Sequence, residues 1–179
     1  FGLQPAGIGL VHNGIDTAVF RPLPGVGRNP LRLMATCSAD APLKGLRYLL
    51  QAYARLLPQH PGLELLVVSK PRPGGETESL VQQLGIADRV RFVSGITTQQ
   101  MVQYYAEAAI AVVPSVYEGF GLPAGEAMAC AVPVVSTDGG ALPVSLELPP
   151  AAERAQDRVI VPDGVGPDVI GSIDLGRVQ

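Results

Sequence analysis

Two glutamates carry the densest chemistry in this sequence. They bracket the run Glu118-Gly119-Phe120-Gly121-Leu122-Pro123-Ala124-Gly125-Glu126, with seven residues between them. Proline suits the first turn of a helix. Glu118 is therefore expected in a loop, and Glu126 in the first turn of the helix that follows. Gly119 and Gly121 allow close backbone approach and unusual dihedrals. The free amides of a helix start form an anion site, suited to a diphosphate. Carboxylates repel phosphate, so their part in such a site is to accept hydrogen bonds from sugar hydroxyls. The alternative is structural, a capped helix whose Glu126 complements the dipole. Residue types alone leave both readings open.

Four further segments bear groups that could join such a site. Lys44, in Asp40 to Gly45, is a point charge expected at a strand–helix junction, where it could neutralise a leaving diphosphate. Val93-Ser94-Gly95-Ile96-Thr97 is a turn after an expected strand, at the ligand edge of the sheet. Ser69-Lys70-Pro71-Arg72-Pro73-Gly74-Gly75 is a basic loop that touches phosphate or acceptor, or is simply solvated. Asp138-Gly139-Gly140 approaches the donor or makes a tight turn.

The elements that must position these groups alternate between short apolar runs and amphipathic stretches. Strands are expected over 31–37, 63–69, 89–93, 109–113 and 133–136, with a weak sixth at 159–161. Helices are expected over 44–57, 76–84, 98–108 and 123–130. In the first helix, Leu46, Leu49, Leu50, Tyr53, Leu56 and Leu57 share one face. Thr97 or Thr98 caps the third. Strands separated by helices imply βαβ units and a mostly parallel, doubly wound α/β sheet. Ligands of such a sheet bind outside the carboxyl ends of its strands, which is where the segments above fall. Residues 1–30 are rich in Gly and Pro, with a turn signal at Asn13-Gly14, and read as a linker.

Composition excludes several classes of function. With 47% hydrophobic and 16% charged residues, the chain is globular rather than disordered. A net charge of -3 and the lack of any Lys/Arg run exclude a nucleic-acid footprint. No apolar stretch is long enough to span a bilayer. Cys37 and Cys130 lie in no metal-like spacing and read as reduced, buried thiols of a cytoplasmic protein. His12 and His60 flank turns and suggest no chemistry. The chain opens on Phe1 without a signal-peptide pattern, which reads as a fragment or a processed piece.

The stretch YEGFGLPAGEAMACAVPVVSTDGGALP, residues 117–143, resembles the signature of family 4 of the retaining glycosyltransferases. Asn13 to Pro22, Pro42-Leu43-Lys44-Gly45-Leu46 and Arg89 to Gly95 are similar to other segments of that family, in the same order. The resemblance covers about residues 1–143 and implies the GT-B fold, two Rossmann-like domains facing each other across the active site. This chain would supply the C-terminal half. Residues 1–22 would be the remnant of a preceding domain and its linker. Residues 23–165 would be the nucleotide-sugar-binding domain, and 166–179 an atypical tail.

By the same resemblance, the donor is a nucleoside-diphosphate sugar, transferred to an acceptor hydroxyl with retention and without a metal or other cofactor. Glu118 would hold sugar hydroxyls and Glu126 the ribose. Ser94, Gly95 and Ile96 would hold the base through backbone groups. Lys44 and the amides of Phe120, Gly121 and Leu122, beside Gly119, would stabilise the departing diphosphate. The missing domain would bring the acceptor, and any peripheral membrane association would run through it.

The sequence also departs from the family. An arginine is common five residues before the lysine, where Ala39 stands, and an acidic residue usually follows Pro143, where Val144 stands. The tail lacks the helical periodicity expected of a closing helix. The missing domain and Ala39 favour the alternative of a non-catalytic sugar-nucleotide-binding module, and weak donor binding without turnover is expected of this chain alone. A phosphorylase lacks support because no pyridoxal-phosphate lysine context is present. A dehydrogenase lacks it because no G-x-G-x-x-G follows the first strand.

Overall fold

The computed structural model describes residues 13–142 and 159–160. Five parallel strands are β1 (Asn29–Thr36), β2 (Glu64–Val68), β3 (Val90–Val93), β4 (Ala108–Val113) and β5 (Val134–Ser136). A short β6 (Val159–Ile160) runs antiparallel to β5. The helices are α1 (Leu46–Leu56), α2 (Glu76–Gln83), α3 (Thr98–Glu107) and α4 (Leu122–Ala129). Every expected element is present, with ends shifted by a residue or two, except that the first helix begins as a separate 3-10 turn at Pro42–Lys44. None of the described helices is long and apolar enough to cross a membrane.

The sheet order is β3-β2-β1-β4-β5-β6. Leu33 of β1 is in register with Leu65 of β2 on one side and Ile110 of β4 on the other. From β1 the chain winds outward through α1 and α2 to β3. It then returns through α3 to β4, on the opposite side of β1. The winding direction therefore reverses between β1 and β4, and that switch point opens a crevice at the carboxyl ends of the strands.

Alternation along β1 divides the core between the two faces of the sheet. Ala35 and Cys37 belong to a layer with Leu46, Leu49, Leu50 and Tyr53 of α1 and Val81 of α2. Met34 belongs to the other layer, with Val102 and Tyr105 of α3 and Ala124 and Ala127 of α4. Both thiols are free and buried, and burial pushes each up to about 11, so they are protonated at neutral pH.

The lead-in segment is not a free linker. Phe20 meets Tyr105 edge-on with ring centroids 6.4 Å apart, and Ile15 lies against Gly125 of α4. Its turn is not at Asn13-Gly14. The Asp16 carbonyl accepts from the Val19 and Phe20 amides, and the Asp16 carboxylate accepts from Ala18. The aspartate closes the turn three residues later because its side chain replaces a backbone acceptor. Residues 1–12, including His12, lie outside the described residues, as do 143–158, with Val144, and 161–179, with the tail.

Candidate functional site

Backbone contact between two loops builds the site. The turn after β1 crosses the loop after β4, where the Leu43 carbonyl accepts from the Val116 amide at 2.9 Å and from Tyr117 at 3.4 Å. Gly45 makes this approach possible. Its φ is +67°, and a Cβ there would overlap the Pro114 carbonyl. Lys44 thereby reaches across the switch point, and its Nζ lies 2.9 Å from Oε1 of Glu118.

Glu118 is 8% exposed and held from several directions. Its Oε1 also accepts from the Ser115 hydroxyl at 2.8 Å. Its carbonyl accepts from the Ala141 amide at 2.8 Å, and its backbone bridges to Gly140. Cβ atoms at Gly139 and Gly140 would overlap the carbonyls of Val116 and Glu118. The segment Asp138-Gly139-Gly140 is thus the floor on which the Glu118 loop rests. Among the described residues no hydrogen bond reaches Oε2, which is left as an acceptor for a hydroxyl group.

Lys44 and Glu118 line an open cavity of about 480 Å³ whose wall also includes Thr36, Ala39, Lys70 and Pro123. It lies at the carboxyl ends of β1, β2 and β4. Ala124 and Gly125 turn their amides back to the Gly121 carbonyl at 3.0 and 3.3 Å, and Pro123 has no N–H. The amides of Phe120 and Gly121 come just before this first turn of α4, and that of Leu122 opens it. Gly121 has φ +89°, and its missing side chain leaves room for buried Leu142. Among the described residues a Cβ at Gly119 would meet nothing within 4 Å, so none of them demands a glycine there.

Glu126 stands in the second turn of α4, not the first. The helix starts at Leu122 and has no acidic residue in its first turn. Complementing the helix dipole is therefore not its role, since that effect fades beyond the first turn. Its Oε2 accepts from the Tyr105 hydroxyl at 3.1 Å. Burial raises the carboxyl above its usual range, and the tyrosine bond partly opposes the rise. The Tyr105 hydroxyl lies 3.4 Å from that of Thr36, on the cavity wall, so a buried polar path connects Glu126 with the end of β1.

Ser94, Gly95 and Ile96 follow edge strand β3 and do not line this cavity. Two strand spacings, about 10 Å, separate β3 from β1. Thr97 caps α3 with a full capping box, its hydroxyl accepting from Gln100. His60 is exposed and outside the cavity. No cluster of three or more His, Cys, Asp or Glu suited to a metal ion occurs among the described residues.

Sequence reasoning missed Ser115 and the hydroxyls of Tyr105 and Thr36. Ser115 had a usable signal, as a polar residue at the carboxyl end of a strand. Tyr105 lies on the buried face of α3, and periodicity reports a face but not the reach of a hydroxyl.

The profile of the family "Glycosyl transferases group 1" matches residues 31–165. The chain is 45% identical over 143 residues to an MMP alpha-(1->4)-mannosyltransferase of Mycolicibacterium hassiacum, covering 80% of this chain and 34% of that protein. It therefore spans about a third of the length of that curated relative. Among solved structures it resembles the C-terminal domain of a glycosyl transferase group 1 family protein from Francisella tularensis. That match has a TM-score of 0.61 and 28% identity and covers 73% of each chain. It also resembles an Anabaena protein solved with UDP and glucose, with a TM-score of 0.64 and 25% identity over 81% of this chain and 42% of that one.

Proposed function

The chain belongs to the group 1 glycosyl transferases, and from that premise we propose that it is the C-terminal, donor-binding half of a retaining, family 4 enzyme. Its donor is a nucleoside-diphosphate sugar, and its product a hexosyl group joined to an acceptor hydroxyl. A companion Rossmann-like domain, which the greater length of the relatives leaves room for, brings the acceptor. The reducing cytoplasm, where its thiols stay free, is its compartment. The observation that carries this reading is the Lys44–Glu118 pair, assembled from two loops at the switch point beside the open end of α4.

The donor lies along the carboxyl edge of the sheet. Its base rests on Ser94, Gly95 and Ile96, its ribose is held by Glu126, and its diphosphate lies between Lys44 and the amides of Phe120, Gly121 and Leu122. Oε2 of Glu118 accepts a sugar hydroxyl. As the bond from the sugar to the diphosphate breaks, negative charge grows on the leaving oxygen. Lys44 and the amides are already in place to stabilise it, without reorganisation. The protein needs no carboxylate nucleophile for this step, and Glu118, buried against Lys44 and Ser115, serves to position the sugar. The UDP and glucose bound by the Anabaena relative support this type of ligand.

A second reading rests on Ala39. It puts a methyl group on the cavity wall where the family often has a cation, which suits a module that binds donor without transferring it. Calorimetric titration of the purified chain with UDP and GDP, with and without Mg2+, tests the assignment. One nucleotide is expected to bind weakly and independently of the metal. Lys44→Ala and Glu126→Ala should each weaken that binding about tenfold or more. No sugar transfer is expected from this chain alone, and turnover at the rate of a complete enzyme would refute the need for a companion domain.

A further inference from the structure

The cavity has a charge problem. Among the described residues, Lys44, Glu118 and Lys70 are the charged ones of its wall. Lys44 lies 2.9 Å from Glu118, so the two nearly cancel. A diphosphate carries several negative charges, and a neutral pair gives it no net attraction at a distance. The amides at the start of α4 contribute only partial charge. Lys70 has no ion pair among the described residues and is exposed at the carboxyl end of β2.

The backbone that carries Lys70 is anchored, although its loop is rich in proline and glycine. Anchors hold the backbone on both sides of it. On one side, the Ser69 amide donates to the Val93 carbonyl at 2.8 Å, and the Ser69 hydroxyl accepts from the Ala39 amide at 2.7 Å. On the other, the Arg72 amide donates to Oδ2 of Asp40 at 2.9 Å, and Oδ1 of Asp40 accepts from the Thr77 amide at 2.8 Å. Asp40 adopts φ 58° to make both contacts. These backbone bonds hold its carboxyl below the usual range, so it stays charged. The turn containing Ala39 and Asp40 therefore carries no cation of its own, yet it clamps the loop that does.

Resting on the donor-site reading above, we propose that Lys70 is a diphosphate-binding residue, the cation that gives this cavity its net positive charge. It occupies the wall beside Ala39, so the charge absent at position 39 is supplied by the β2 loop. Asp40 and Ser69 are its positioning residues.

Titration of the full chain with UDP, GDP and inorganic pyrophosphate tests this, comparing the parent with Lys70→Ala, Lys70→Arg and the double variant Lys70→Ala with Ala39→Lys. Lys70→Ala is expected to weaken binding about tenfold and to flatten its salt dependence. Its melting temperature should stay unchanged, since the side chain is exposed and unpaired. Lys70→Arg should restore affinity, and Ala39→Lys should restore part of it by returning the charge from the neighbouring loop. Parent-like binding by Lys70→Ala, while Lys44→Ala is impaired, would overturn the role of Lys70 and leave the donor site standing. A parent that binds pyrophosphate through Lys70 but neither nucleotide would support this inference and overturn the donor reading. A parent that binds none of the three overturns both.

Discussion

The sheet has two cavities of nearly equal size at its opposite ends, and size does not tell them apart. At the amino ends of β2 and β3, an opening of about 510 Å³ is lined by Arg32, Glu64, Asp88, Arg89 and Arg91, among others. It is richer in charge than the 480 Å³ cavity at the carboxyl ends. Arg32, Glu64 and Arg89, however, are used within the fold. Arg32 pairs with Glu64 at 3.0 Å and Glu107 at 2.7 Å, and Arg89 donates to the carbonyls of Pro61 and Leu63. At the carboxyl ends, Lys70 and one oxygen of Glu118 have no partner among the described residues. Connectivity explains the difference. At the amino ends, neighbouring strands meet charges that tie them together. At the carboxyl ends, the crossovers diverge from β1 and β4 and leave an opening that no element among the described residues fills.

The sharpest way to break this comparison is at Gly45. A Cβ there would overlap the Pro114 carbonyl, in a left-handed conformation that side chains disfavour. Gly45→Ala should cost about 3 kcal/mol of stability, from strain and displacement of the loop after β4, and should separate Lys44 from Glu118. Gly95→Ala is the control. It has a similar φ of +66°, but nothing lies within 4 Å of its Cβ, so it should cost only about 1 kcal/mol. Urea denaturation compares the two, and equal losses would show that the loop crossing is not a fixed part of the site.

Arg32→Ala is the matching change at the other end. It removes both ion pairs of a partly buried guanidinium. The expected loss is about 1 kcal/mol, since the pairs are partly solvated, with nucleotide binding unchanged. Weakened UDP or GDP binding in a folded Arg32→Ala variant would contradict the division of labour between the two ends.

How much of this was legible in the sequence follows from the range of each signal. Strand and helix positions come from patterns within one segment, so β1 to β5 and the four helices could be read from runs such as Leu63 to Ser69. The Gly-rich loop at Glu118 could be read because its residues are adjacent. The Lys44–Glu118 pair spans 74 positions, and what brings it together is the missing Cβ of Gly45, which local patterning cannot reveal. Asp40 stood inside a segment singled out for its lysine, yet its contacts with Arg72 and Thr77 lie more than 30 positions away. Glu126 fell in the wrong turn because Pro123 occupies the second helical position rather than the first, with Leu122 leading the helix. One residue of helix phase was enough to undo the dipole argument.

The smallest expected effect lies at Glu126, where function and stability should oppose each other. Burial raises its carboxyl, and the Tyr105 hydroxyl partly offsets this. The folded protein therefore holds the Glu126 proton more tightly than the unfolded chain does. The stability this contributes is complete below the unfolded value, about 4.3, and is lost as pH rises through the higher folded value. At neutral pH the ionised carboxylate is a small liability. Glu126→Gln keeps an acceptor for the Tyr105 hydroxyl and removes the charge. It should gain a few tenths of a kcal/mol near pH 7, roughly, and nothing below about pH 4. Denaturation at the two pH values measures the difference, and a variant less stable than the parent at pH 7 would show that the carboxylate is paid for by contacts within the fold. A gain in stability together with weaker nucleotide binding would mark Glu126 as held for a ligand, unlike Arg32, whose loss costs stability and leaves binding intact.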